Sequence, residues 1–321
     1  MLKLTCLTVA ALAFTAAASN AETLRFGHAY ETSEAFHVRS LEAAEEIKER
    51  TGGRYEIEIF PASQLGSQAE MNESINLGTL DMGYVSPGLM AEIHAPIQLH
   101  LAPFIWRDMD HFNAYPGSDI YKDITAGYEA ASGNKILGLT YYGQRHVSSN
   151  KAIEKPEDMR GLKLRIPPVP LLTMFADSVG ANATPIAFAE VYLALQQGTV
   201  DAQENPLPTI KAKKFHEVQS HIALTGHLTD GFFTVVNGDV WSRMSDEDKA
   251  VFQDAWTKAA SNASADIVAQ EAELVQWFRD QGVTVTEPDR AAFAALVEPK
   301  WTEGNVGWTT EQVEAIRALG K

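Results

Sequence analysis

Thr23-Leu24-Arg25-Phe26-Gly27-His28 alternates in polarity and reads as a β-strand, and the segments after it decide the fold. Ser33 or Thr32 caps a helix running to Thr51, with Phe36, Leu41, Ala44 and Ile47 on its inner face and Gly52-Gly53 stopping it. Tyr55, Ile57 and Ile59 alternate with Glu56 and Glu58 in a second strand, which Pro61 ends. A helix from Ser67 to Leu77 leads to a third strand through Met82, Tyr84 and Val85. Strand, helix, strand, helix, strand specifies a parallel α/β sheet, because parallel neighbours need a crossover and a helix supplies it.

The same grammar returns downstream. Ile136 to Tyr142 is an apolar strand, and Leu162, Leu164 and Ile166 alternate with Lys163 and Arg165 until Pro167-Pro168 ends theirs. Pro170 suits the first position of a helix whose Leu171, Phe175 and Val179 recur every four residues, closed by Gly180. Ala189 to Gln197 is helical, Val200-Asp201-Ala202 is a short strand, and Phe232 to Asn237 is another. Ser245-Asp246-Glu247-Asp248 is a capping box opening a helix to Gln281, with Phe252, Trp256, Ala260, Ala263, Ile267, Leu274 and Phe278 in one stripe. At 1.5 Å per residue that helix spans roughly 50 Å, longer than one such domain, so it runs across two. Domain I is expected over 22–142 plus roughly 230–270, and domain II over 143–229 plus roughly 271–321. No low-complexity linker separates them, so ordered strands and helices cross between the domains, which suits a hinge.

Residues 1–21 read as a cleaved secretory signal: Lys3, a short apolar run, then small residues with Ser19 and Ala21 at −3 and −1. Cys6, the single cysteine, falls inside that leader, so the mature chain carries no thiol nucleophile, disulfide or Cys-ligated metal. About 300 residues remain, enough for two cores. Their net charge, −17 once Lys3 is removed from the −16 of the whole chain, argues against nucleic acid and anionic membranes as partners.

Enzyme constellations are missing from the sequence: there is no G-x-S-x-G, H-E-x-x-H, phosphate-binding GxxxxGK[ST] or GxGxxG. The nine histidines lack metal spacing, and Glu42, Glu45, Glu46 and Glu49 read as a solvated helix face rather than a metal site. No cofactor, metal or catalytic residue is expected. What stands out is two arginines at the ends of apolar strands, Arg145 and Arg165, since ligands of parallel α/β sheets bind beyond strand ends and a guanidinium fork matches a carboxylate. A lone arginine in such a place is more often a surface residue paired to an acid. Asp201-Ala202-Gln203-Glu204-Asn205-Pro206-Leu207-Pro208 reads either as an ordinary turn or as a stiff loop able to hold the Asn205 amide at a ligand.

Phe60-Pro61-Ala62-Ser63-Gln64-Leu65-Gly66, Asp158-Met159-Arg160-Gly161-Leu162-Lys163-Leu164-Arg165-Ile166-Pro167, Pro185 to Gln196, and Asp201-Ala202-Gln203-Glu204-Asn205-Pro206 occur in that order. In these motifs the chain resembles the extracytoplasmic solute receptors of TRAP transporters, the DctP-type family, over essentially the whole mature length. The resemblance implies a two-domain α/β periplasmic binding protein fold with the ligand cleft between domains, no catalysis, and a monomer in the periplasm that hands a small organic acid to small and large membrane subunits. It implies that Arg165 anchors the ligand carboxylate, that Asn205 hydrogen-bonds it, that Arg145 is a second basic contact, and that Phe188 packs on the ligand body. The nearest likeness is to the sialic-acid branch, through Arg145, Ser149-Asn150-Lys151-Ala152-Ile153 and Gln203-Glu204-Asn205-Pro206. Gln68 and Ser86 stand where that branch has acidic contacts, which points to a smaller acid: a hexuronate such as glucuronate or galacturonate, or an aldonate, with His28, Gln68 and Ser86 on its hydroxyls. Sialic acid, a C4-dicarboxylate, an ABC-importer binding protein, a sensing partner of a membrane receptor and a secreted enzyme are the alternatives.

Overall fold

The computed structural model describes residues 21–304 and 306–320; the expected leader, Cys6 included, lies outside them apart from Ala21. Nine strands form one sheet: β1 (Glu22–Gly27), β2 (Tyr55–Phe60), β3 (Met82–Val85), β4 (Lys135–Ser149), β5 (Lys163–Ile166), β6 (Asn182–Pro185), β7 (Ala202–Pro206), β8 (His221–Val236) and β9 (Thr284–Thr286). Their order is β2-β1-β3-β8-β4-β7-β5-β6, with β9 beside β8. β1, β2 and β3 pair in parallel at one end, and β7, β5 and β6 do so at the other. Between these ends lies the antiparallel pair β4–β8, whose register runs from Lys135 opposite Val236 to Ser149 opposite His221. The Val236 end of β8 pairs with β3, and the Ser149 end of β4 pairs with β7. The two α/β lobes are therefore joined through continuous strands, and register shifts at Ile136/Gly138, Tyr141/Gly143 and Arg145/Val147 bend the crossing.

The long helix, Asp246–Asp280, is capped by Ser245, whose hydroxyl accepts the Asp248 N–H at 3.1 Å. Its expected stripe is buried throughout. It is laced to β4 at three points: Gln253 Nε2 donates to the Leu137 carbonyl at 2.7 Å, Ser264 Oγ accepts from the Tyr141 N–H at 3.0 Å, and Glu271 accepts from the Gln144 N–H at 2.7 Å. Eighteen helical residues advance about 27 Å and seven strand residues about 24 Å, so helix and strand run alongside one another across both lobes.

Three expectations need correction. The first helix spans Ala35–Arg50 with Glu34 at its N-cap, not Ser33 or Thr32, and buries Ala35, Phe36, Ser40, Ala43 and Ile47 while Leu41 is 48% exposed. It packs on the long helix, and small side chains at Ser40 and Ala43 let the two approach. Second, β4 continues to Ser149, so Arg145 lies inside a strand rather than beyond its end. Third, 202–206 is strand β7, and Leu207–Ala212 is a helix with proline in its first turn, so the turn-or-loop reading of 201–208 fails. Polar side chains broke the apolar pattern in both strands, but the ladders formed with β8 and β4 satisfy their backbones.

Candidate functional site

Between the two parallel ends of the sheet is a cleft with about 60 Å³ of water-accessible volume, in the place between lobes where small-molecule sites are commonly built. One wall carries Gln68, Ser86 and Leu89; the other carries Arg165, Pro167, Pro168 and Phe188; Tyr142, Arg145, Asn205, Asp230 and Phe232 line it from the central strands. Ser67 caps Gln68–Asn76 through a capping box with Glu70, which fixes Gln68 in the first turn. Ser86 is the N-cap of the short helix after β3 and makes no side-chain cap hydrogen bond.

Arg165 leaves β5 fully buried. Its Nε and Nη2 donate to the Ile186 carbonyl at 2.9 and 2.7 Å, which pins the side-on edge of the guanidinium. Nη1 has no partner. Burial, with Arg145 nearby and only partly offset by Glu204, pushes its pKa down to about 9. A buried cation with an unused N–H donor is a costly arrangement that an incoming anion relieves.

Arg145 is buried too, but each of its three nitrogens has a partner and one Nη1 hydrogen is left over. Nε and Nη2 grip the Glu204 carboxylate, Nη2 also reaches the Glu204 carbonyl at 2.8 Å, and Nη1 reaches Asp230 Oδ2 at 2.9 Å. Burial opposes its charge, yet Glu204 and Asp230 hold it above its ordinary range. Glu204 is drawn down to about 2: burial works against ionisation, and Arg145 and His227 outweigh it. His227 Nε2 sits 3.4 Å from Glu204 Oε2. Arg145 is thus the centre of an internal ion network that touches the cavity.

Asn205 lies on β7 opposite His146. Its Oδ1 accepts from the Tyr142 hydroxyl at 3.1 Å, and its Nδ2 donates to Gln203 Oε1 at 2.6 Å, which in turn is tied to Ser148 by Gln203 Nε2 at 2.8 Å. This chain of hydrogen bonds orients the amide and leaves one Nδ2 hydrogen over. Phe188 presents its ring under Lys213 Nζ, 5.1 Å from the centroid.

Six of the seven residues singled out from sequence therefore line one cavity: Arg165, Arg145, Asn205, Phe188, Gln68 and Ser86. His28 does not. Its Nδ1 accepts the Tyr30 N–H at 3.2 Å, its Nε2 meets His37 Nδ1 at 3.1 Å, and burial followed by His37 lowers its pKa to about 3. With both ring nitrogens engaged inside the protein, the hydroxyl-binding role expected for His28 is withdrawn. Tyr142, Asp230 and Phe232 went unnoticed in the sequence. A single acid inside the otherwise uncharged run 222–236 was the available signal for Asp230.

Among the described residues, no group of three or more His, Cys, Asp or Glu could hold a metal ion, and no helix is long and apolar enough to cross a membrane. Residues 26–305 match the family described as bacterial extracellular solute-binding protein, family 7. The chain is 34% identical over 305 residues to the sialic acid-binding periplasmic protein SiaP of Vibrio cholerae, covering 94% of this chain and 95% of that one. Its fold superimposes with a TM-score of 0.88 on a TRAP periplasmic solute-binding protein of Polaromonas bound to D-erythronate, at 32% identity over 93% of this chain and 99% of the other. A second such protein, from Roseobacter denitrificans with bound β-D-glucuronate, gives 0.87 at 28% identity over 93% and 100%.

Proposed function

Because this chain belongs to family 7 of the bacterial extracellular solute-binding proteins, we propose that it is a periplasmic receptor that captures a sugar acid of hexuronate or aldonate size and delivers it to the membrane subunits of a TRAP transporter. The family and its solved relatives are binding proteins, and this chain is a binding protein rather than an enzyme. The observation that carries the ligand reading is Arg165: a fully buried side chain lining the cleft, with its side-on edge fixed and Nη1 unused among the described residues. The end-on edge, Nη1 with the second Nη2 hydrogen, remains for a carboxylate. Asn205 supplies a third donor, and Phe188 a face for the carbon skeleton. Gln68 and Ser86 offer neutral hydrogen bonds to hydroxyls, which suits a polyhydroxy acid better than an ammonium or a second carboxylate.

The lobe division at 142/143 falls at a register shift in β4 and supports closure by bending of the two crossing strands. The test is calorimetry of the mature protein with D-erythronate, D-galactonate, D-glucuronate, D-galacturonate, sialic acid and succinate. A uronate or aldonate is expected to bind tightest. Tighter binding of sialic acid or succinate than of every uronate and aldonate would overturn the ligand class. Co-purification of tagged receptor with an ATPase-driven importer instead of TRAP subunits would overturn the transport role.

A further inference from the structure

Arg165 is not the only buried polar group of the cavity left without a partner. Asp230, on β8, is 3% exposed and lines the same space. Its Oδ2 receives Arg145 Nη1 at 2.9 Å. Among the described residues its Oδ1 has no hydrogen-bond partner, and the neighbouring Gly231 amide favours the charge without closing a hydrogen bond to that atom. An acceptor buried in this way costs stability unless something donates to it. Burial lifts the carboxyl to about 6, with Arg145 offsetting part of the effect, so the group is predominantly ionised at neutral pH.

We propose that Asp230 is the specificity-determining acceptor of this site: its free Oδ1 takes a hydrogen bond from a hydroxyl of the bound acid while Arg165 takes the carboxylate. The inference rests on the carboxylate reading of Arg165. One orphaned donor and one orphaned acceptor lining one cleft define a ligand that carries both an anionic group and an O–H donor. A dicarboxylate fits badly, because its second carboxylate would face Asp230 with no proton to share and like charge against like in a low-dielectric space. A deoxy acid fits badly too, because it leaves Oδ1 desolvated and unpaired; sites built around a hydroxyl reject analogues lacking it for this reason. The strand holds Asp230 in place, since Arg145 fixes Oδ2 and Arg145 is itself clamped by Glu204. Little ordering cost remains when the hydroxyl arrives. The internal competitor for Oδ1 is Tyr30, whose hydroxyl is also buried and unpartnered and whose titration senses Asp230.

The experiment is a two-by-four comparison by calorimetry of wild type and Asp230→Ala with D-erythronate and its 2-, 3- and 4-deoxy analogues. The same set is repeated with D-galactonate and its monodeoxy forms should D-galactonate be the tighter ligand. In wild type, loss of one hydroxyl is expected to weaken binding about tenfold or more, and in Asp230→Ala that penalty should shrink to about threefold or less. A purely structural role would weaken every ligand by the same factor and keep the penalty intact, which overturns the proposal. L-Threonine binding wild type more tightly than D-erythronate would also overturn it, because the acceptor would then serve an ammonium. If wild type binds none of the sugar acids, the reading under Proposed function falls as well; if it binds them and the penalty survives Asp230→Ala, only the Asp230 inference falls. Should Asp230→Ala fail to fold, a crystal structure of the wild-type complex decides: a ligand oxygen within hydrogen-bond reach of Oδ1 supports the proposal, and a water or the Tyr30 hydroxyl there overturns it.

Discussion

The Glu271 carboxylate, on the long helix, accepts the backbone N–H of Gln144 at 2.7 Å and holds the bulge at the middle of β4. Its other oxygen accepts from the Tyr141 hydroxyl at 2.8 Å, and burial raises its pKa to about 7. Gly143 sits between the two with φ +132°, a backbone conformation reserved for glycine, and a Cβ there would lie 2.5 Å from Pro206 Cβ and 2.8 Å from Glu271 Oε1. A strand crossing two lobes is thus bent at one residue and braced there by the helix that runs alongside it.

Gly143→Ala is accordingly expected to destabilise the protein by about 1–3 kcal/mol through backbone strain alone, and more if Pro206 must move. Glu271→Ala leaves the Gln144 N–H unpaired and should cost about 1–3 kcal/mol. Urea unfolding of both variants measures this. Wild-type midpoints would show that the bulge is not held by these contacts.

Arg165→Ala should weaken binding of the best sugar acid by about 30-fold to several thousand-fold, the 2–5 kcal/mol typical of truncating one partner of a buried charged pair. Arg165→Lys should also bind poorly, since an ammonium cannot keep the Ile186 carbonyl and present a two-point edge at once. Arg145→Ala is different: it strands Glu204 and Asp230, and its expected signature is a loss of about 3–5 kcal/mol of stability. Calorimetry and thermal unfolding together separate the two arginines.

Two contacts bridge the lobes beside the cavity: Thr209 Oγ1 donates to Glu34 Oε1 at 2.8 Å, and Lys213 Nζ pairs with Glu31 at 2.8 Å. They can form only when the lobes are together, so they should bias the open–closed equilibrium without touching ligand. Thr209→Val is expected to weaken all ligands by a common factor and leave their ranking unchanged. Small-angle scattering should show the radius of gyration falling on ligand addition in wild type. An unchanged scattering curve at saturation would remove closure from the mechanism.

His28 and His146 are buried neutral, each lowered to about 3, chiefly by desolvation. An imidazole whose folded pKa lies below its unfolded value near 6.5 is protonated first in the unfolded chain. Its stability contribution is whole above pH 6.5 and is lost as pH falls through the window from 6.5 toward 3. At pH 5 each such group has forfeited about 2 kcal/mol. Glu34 and Glu271, both raised to about 7, act the other way and gain as pH falls from 7 toward 4.5. Comparing His28→Asn with its parent cancels those terms. The variant's melting temperature should fall less between pH 7 and pH 5, and equal falls would count against a neutral buried His28.

Much of the molecule was legible in the sequence where chemistry is local. The parallel βαβαβ opening, the helix beginning at Ser67, the Ser245 cap, the proline stop after Arg165 and the stripe of the long helix are all near-neighbour patterns. The sequence misled where partners are distant. Arg145 and Asn205 looked like the end of a strand and part of a turn or loop because polar residues interrupt an apolar run, yet both lie in strands paired to segments far along the chain.

The sequence by itself determined the α/β class, the crossing helix and the candidate residues, because periodicity, caps and motif spacing are set by covalent neighbours. Only the tertiary structure decided which of those residues are free to act. Arg145 and Arg165 are the same residue type on neighbouring stretches of chain. Glu204 and Asp230, 59 and 85 positions from Arg145, engage every nitrogen of one of them, while a single backbone carbonyl holds the other and leaves Nη1 without a partner among the described residues. That difference lies in where buried charges meet, and pairing between distant strands fixes it.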